Sequence, residues 1–364
     1  MNYKETLFFV AKCLTINHEE HNKRIVEEML QSNTVDWDEV VKLSTAHFVF
    51  PALYCNLKRA SFLSYLPEDL VEYMKYITDL NRKRNEEIIT QAKELNTLLL
   101  EHNITPIFIK GTGNLLEGLY EDIAERMVGD IDILIQKNDI KVAYNLLNNN
   151  NNNNEIDFSK SLHRHIPRIK NSKKISAIEI HRKLLIEKYT KEFNYNSVKN
   201  SLIKNNNALL LCYEDQLVLS AASSHINDFG FDKKTLSLRN AYDVFLLSKK
   251  TNAKKIFLKF NTLQHPLHCF LASCFEVFNK PQSLQYVTSR KVKKYLILFN
   301  LYLENFHLAN ENSKKAKIRR NKNLRFQKFY RLFFYGEYRT WLYHRITDKN
   351  WRKEKLIQLG LKKP

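Results

Sequence analysis

Glycine and proline are scarce in this chain of 364 residues, with only seven of each. Tight turns draw on both, so a sandwich or barrel of many short strands is excluded and long helices are expected. Cysteine is scarce too. The five present (Cys13, Cys55, Cys212, Cys269 and Cys274) are odd in number, scattered, and form no Cys-x-x-Cys pair. This supports neither a zinc nor a redox motif, and the thiols read as small buried apolar side chains. Long apolar runs are missing: nothing approaches the roughly 18 residues that span a bilayer. Residues 7–11 are too short for the core of a signal peptide and run directly into Lys12. The expected location is the cytoplasm, with the inner face of the membrane as a peripheral alternative.

Acids are in deficit, 39 Asp and Glu against 58 Lys and Arg, for a net charge of +19. The excess is not spread evenly. Residues 313–364 hold seventeen basic residues against three acids, a net +14, which leaves +5 for everything before them. The length exceeds one compact core, and the composition, 44% hydrophobic and 27% charged, is that of a globular protein.

Apolar residues recur at spacings of three and four through the first hundred positions, which predicts helices. Residues 34–38 supply capping side chains before one helix, and Pro51 opens the next. Pro67 starts a long helix whose face is marked by Leu70, Met74, Ile77, Leu80, Ile88, Ala92, Leu95 and Leu99, ending near His102 and Asn103. The pattern then shifts to short strands at residues 104–109, 130–135 and 175–181. A helix is predicted over 140–147. The seven consecutive asparagines at 148–154 cannot bury apolar surface and read as a solvated loop. Beyond 205 the helical spacing returns, at Leu209, Leu210, Leu217, Val218 and Ala221.

The central strands carry the chemistry. Asp130 and Asp132 are two residues apart, so an extended strand projects both carboxylates from one face. Two such anions repel unless a cation neutralises them, and hard oxygen ligands suit Mg²⁺. Glu179 on the third strand is the candidate third ligand. Upstream, Lys110-Gly111-Thr112-Gly113 joins the first strand to a helix, where free amides and the helix dipole favour an anion. Lys110 and Arg126 add positive charge. Together these residues suit a metal–nucleoside triphosphate. His163, His165 and His181 have no strong zinc spacing and read as structural, as does His225. Arg239 and Asp243 read as an intrahelical i,i+4 pair.

The run Phe108-Ile109-Lys110-Gly111-Thr112, then Tyr120, Arg126 and residues 129–135, resembles the bacterial family of uncharacterised nucleotidyltransferases in the DNA-polymerase-β-like superfamily. Ile178-Glu179-Ile180-His181 is similar to that family's Glu-x-His strand, and the likeness spans roughly residues 30 to 250. The resemblance implies an α+β fold, a small mixed β-sheet nucleotidyltransferase core flanked by N-terminal and C-terminal helical regions. The division read from the pattern and charge along the chain is 1–103 helical, 104–205 core, 206–312 helical and 313–364 a basic aromatic segment, and the resemblance spans its middle part. It also implies Asp130, Asp132 and Glu179 as ligands of Mg²⁺ or Mn²⁺ and as catalytic residues, with Lys110, Gly111, Thr112, Gly113 and Arg126 around the triphosphate. The reaction would move a nucleoside monophosphate from an NTP to a hydroxyl acceptor. The alternatives are a non-catalytic RNA-binding protein or a membrane-surface accessory protein on the same fold. In both, residues 313–364 would meet RNA or an anionic membrane.

Overall fold

A computed structural model describes residues 1–148, 164–334 and 336–358. Four helices, α1 (Tyr3–Cys13), α2 (Glu20–Gln31), α3 (Trp37–Ala46) and α4 (Phe50–Arg59), precede a 34-residue helix, α5 (Glu68–Glu101). Asp36 caps α3 by accepting the Glu39 amide at 3.2 Å, and proline opens α4, as the capping residues predict.

The centre is built from β1 (Ile107–Phe108), α6 (Lys110–Glu117), β2 (Asp130–Leu134), α7 (Ile140–Leu147), β3 (Ala177–His181), the short helix α8 (Tyr195–Val198), β4 (Ile203–Asn205) and β5 (Ala208–Leu210). The strands form one five-stranded sheet in the order β3-β2-β1-β5-β4. It is mixed: β2–β3 and β1–β5 run parallel, β1–β2 and β4–β5 antiparallel. Leu209 and Leu210 therefore belong to a strand, not to the helical spacing expected beyond 205. Asn206 and Asn207, both at positive φ (45° and 68°), turn the β4–β5 hairpin, a job that asparagine tolerates better than most residues.

Helices α9 (Tyr213–Ala222), α10 (Gly230–Lys233), α11 (Leu238–Ser248), α12 (Ala253–Phe257), α13 (Gln264–Val277) and α14 (Arg290–Glu304) follow, so the fold is α+β. Its core is apolar, with Ile131, Ile133 and Ile180 of the sheet and Phe245, Phe257 and Phe270 of the helices all buried. Four cysteines are buried and Cys212 is half-buried, all unpaired. The described residues from 310 onward belong to a separate compact unit, made by most of α15 (Phe306–Phe334) with α16 (Gly336–Thr347) and α17 (Lys349–Gln358). Among the described residues no helix is long and apolar enough to cross a membrane. Of the asparagine tract only Asn148 lies among the described residues, and His163 lies outside them.

The buried stripe of α5 departs from its predicted face. Leu80 is exposed, while Thr78, Asn81 and Asn85 continue the spacing between Met74 and Ile88. The reason lies in the loop that precedes β2. Asn81 donates to the carbonyls of Ala124 (2.7 Å) and Arg126 (3.2 Å), and Asn85 to those of Ile123 (2.6 Å) and Arg126 (2.7 Å). Buried carbonyls need donors, so a polar stripe serves here where an apolar one would leave them unsatisfied. Further along α5, Gln91 donates to the Ser176 carbonyl (2.9 Å) and accepts its amide (3.2 Å). Thus α5 fixes the entry to both acid-bearing strands.

Candidate functional site

Strand alternation puts Asp130 and Asp132 on one face of β2, and the parallel register sets Asp132 beside Glu179 and Asp130 beside Ala177. His181 follows Glu179 by two residues and shares its face. The Nε2 atom of His181 lies 2.7 Å from Asp132 Oδ1 and 3.5 Å from Glu179 Oε2. One ligand atom from each of Asp132, Glu179 and His181 falls within 4.8 Å of the others. All three side chains are largely buried.

Two cations complete the cluster. Lys110 Nζ donates to Asp132 Oδ1 at 2.6 Å and lies 3.2 Å from His181 Nε2. It reaches there from the first position of α6, with its backbone at φ +56°, a left-handed conformation that costs energy for a residue with a Cβ. Arg168 spans the other two acids, with Nη2 2.9 Å from Asp130 Oδ2 and Nε 2.5 Å from Glu179 Oε1. Its side chain is 52% exposed. The guanidinium arrives because residues 164–169 run antiparallel to β3, with the amides of Ile166 and Ile169 donating to Ile180 and Ile178 at 3.0 Å.

These neighbours set the protonation of the acids. Burial alone would raise all three. At Asp132 it is outweighed by the Lys110 ammonium and His181, which hold the carboxyl well below its ordinary range. At Glu179 it is outweighed by hydrogen bonds from His181 and Arg168, and the pKa falls. Asp130 moves the other way. Burial dominates there, the charges of Glu179 and Asp132 add to it, and its pKa rises despite Arg168.

The remaining predicted residues lie as follows. Thr112 is buried and donates from Oγ1 to the Asp130 carbonyl at 3.1 Å, which ties α6 to β2. A Cβ on Gly113 would stand 2.8 Å from the Phe108 carbonyl oxygen, so α6 crosses β1 too closely for any side chain there. A Cβ on Gly111 would meet Val128 at 3.0 Å. Arg126 does not face the acids. Its Nη2 lies 3.0 Å from Asp243 Oδ2, and the same carboxylate accepts the Tyr120 hydroxyl at 2.7 Å. Asp243 is therefore partnered across the fold, while Arg239 lies 4.9 Å over the Phe48 ring instead of pairing within its helix. His225 is buried with Nε2 2.9 Å from the Tyr295 hydroxyl, and His165 has its ring 5.5 Å from that of His181.

Sequence reasoning did not single out Arg168. Pro167 interrupts its short run and the asparagine tract precedes it, so no periodicity announces a strand there. His181, which reads as structural in the sequence, lies instead in the cluster, two residues after Glu179 on the same face.

Two carboxylates and an imidazole offer an O, O, N donor set of the kind a divalent cation accepts. The fold and site thus define an α+β protein with an acidic candidate metal centre on two adjacent parallel strands. The family model described as uncharacterised nucleotidyltransferase matches residues 33–278, which contain the whole sheet and every residue of the cluster. The chain belongs to that nucleotidyltransferase family. Comparison with curated proteins and with solved structures returns no match.

Proposed function

We propose that the protein uses a divalent cation to transfer a nucleoside monophosphate from an NTP to a hydroxyl acceptor. The observation that carries this reading is the β2–β3 register, which sets Asp132 against Glu179 with His181 beside both. Nearby cations keep the two carboxylates ionised, the state a metal ligand needs. Asp132 and Glu179 would hold the cation, with Asp130 and His181 completing the set. Mg²⁺ or Mn²⁺ bound there would supply Lewis-acid polarisation of the triphosphate.

The chain's own groups account for the other requirements. Lys110, released from Asp132, offers an ammonium to phosphate oxygens. The first amides of α6, at Lys110, Gly111 and Thr112, have no intrahelical partner by helix geometry and offer donors to the same oxygens. Asp130, the one acid of the three with a raised pKa, suits the acceptor's proton once Arg168 has left it. The new bond joins the acceptor oxygen to the α-phosphorus, the bond to the bridging oxygen breaks, and pyrophosphate leaves. Arg126 serves this reading indirectly, by fixing the loop that delivers β2.

The test is incubation with each of four α-labelled triphosphates, Mg²⁺ or Mn²⁺, and a cell lysate. Label should appear on one class of acceptor with the wild-type protein and not with the D130N/D132N variant. Equal labelling by the folded double variant contradicts the proposal.

A further inference from the structure

The basic excess lies outside the residues that match the family, and its helical geometry gives it a character of its own. Residues 313–336 hold nine basic residues and no acid. Within α15, Phe326, Phe329, Tyr330 and Phe333 recur at spacings of three and four, the signature of one helix face. Phe326, Phe329 and Phe333 are 58–70% exposed, and Phe334 beside them is 69% exposed. Aromatic rings are seldom left in water in such a contiguous row. Lys314 and Arg325 take the flanks of the helix, and Lys317, Arg320 and Arg331 its far side. Towards the N-terminus, Lys315, Arg319 and Lys322 continue the aromatic face as a cationic band.

We infer that the aromatic face of α15 seats this protein on an anionic phospholipid surface, with Phe326, Phe329, Tyr330 and Phe333 at the acyl boundary and Lys314, Lys315, Arg319, Lys322 and Arg325 among the headgroup phosphates. The division of the helix favours a bilayer over RNA. An interfacial helix needs its apolar residues contiguous on one side and its cations along the flanks, so that long side chains can reach the headgroups. Single-stranded RNA is held in a basic groove that tracks its backbone, with rings on which successive bases stack. Here the rings pair along the helix, with centroids 4.8 Å apart for Phe329–Phe333 and 4.5 Å for Tyr330–Phe334. They form a contiguous apolar strip along the convex side of a helix, not a groove. The inference is independent of the proposed chemistry on β2 and β3.

The test is flotation of the full chain with vesicles of phosphatidylcholine and phosphatidylglycerol in equal parts, and with phosphatidylcholine alone. Binding to the mixed vesicles should be at least tenfold tighter and should weaken at high salt. The F329S/F333S variant should lose at least tenfold of that affinity while its melting temperature and Mn²⁺ affinity stay those of the wild type. A separate F333W protein should shift its emission to the blue on mixed vesicles only, and by more than the wild type, whose Trp37, Trp341 and Trp351 set the baseline. Failure to float with the mixed vesicles, or equal binding by both vesicle types, overturns the inference. So does an RNA affinity that falls in F329S/F333S when no vesicle binding is seen.

Discussion

Two clusters of acids and bases lie within a few residues of each other along this chain and behave in opposite ways. In the loop before β2, Glu125 accepts from Arg59 Nη1 and from the Tyr242 hydroxyl, each at 2.6 Å, and Arg126 pairs with Asp243. These groups are packed between helices, with Glu125, Arg126 and Asp243 all buried. Burial dominates, and Glu125 has its pKa raised even beside an arginine. On β2 and β3 the ingredients are similar, yet Asp132 and Glu179 are driven down. Their cations differ in kind: Lys110 comes from a strained backbone position, and Arg168 is half in solvent. The first cluster is closed and holds helices to the sheet. The second keeps Asp132 and Glu179 charged beside Lys110, Arg168 and His181, the state that the proposed metal ligands need.

The largest expected effect falls on the open cluster. Asp132→Asn should lower nucleotide transfer by about a thousandfold, the scale of losing a principal electrostatic group in an active site. Labelled-nucleotide assays read this, and the melting temperature should move little. The closed cluster should answer in reverse. Asp243→Ala leaves the Arg126 guanidinium buried and unpaired, at a cost of about 3–5 kcal/mol in denaturant unfolding. Mn²⁺ affinity should persist in whatever fraction stays folded. If Asp243→Ala abolished metal binding without unfolding the chain, the two clusters would be one machine and the comparison would fail.

Titration separates the regions further. Burial holds His47 and His268 down to about 4, and their Nδ1 atoms accept the amides of Leu238 (3.2 Å) and Val287 (3.4 Å). Each is neutral in the fold, while its unfolded form takes a proton near pH 6.5, so stability is lost as pH falls from about 6.5 towards 4. Each contributes a slope of ~1.4 kcal/mol per pH unit in that window. Asp132 and Glu179, with depressed pKa values, contribute stability that is present above the ordinary carboxylate range and lost only at lower pH. His47→Gln should therefore flatten the slope between pH 6.5 and 4.5, and Asp132→Asn should leave it unchanged. Urea melts across that range measure both.

The smallest effect on stability is expected at Arg168. Its ion pairs are half exposed and are worth less than about 1 kcal/mol. Arg168→Ala should leave the unfolding midpoint nearly unmoved while raising Mn²⁺ affinity severalfold, because the competing cation is gone. Weaker Mn²⁺ binding in this variant would make Arg168 a support of the site, not its occupant.

Much of this was legible in the sequence where the signal is local. Period-two alternation placed Asp130 with Asp132, and the proline and capping residues placed α3, α4 and α5. What stayed hidden depends on contacts far apart in the chain. Arg126 meets a partner 117 positions away, and no local pattern could show that its guanidinium turns from the acids. The β4–β5 hairpin has strands of three residues, below the length at which alternation is readable. The polar stripe of α5 kept the helical spacing but swapped the residue type, because its neighbours are carbonyls.

Mn²⁺ titration of the wild-type protein and of Asp132→Asn, followed by electron paramagnetic resonance with and without an NTP, tests the central claim most directly. The acid cluster predicts that the wild type binds Mn²⁺, that the nucleotide tightens this binding, and that Asp132→Asn loses both while keeping its melting temperature. Equal Mn²⁺ and nucleotide binding by the two proteins would contradict it.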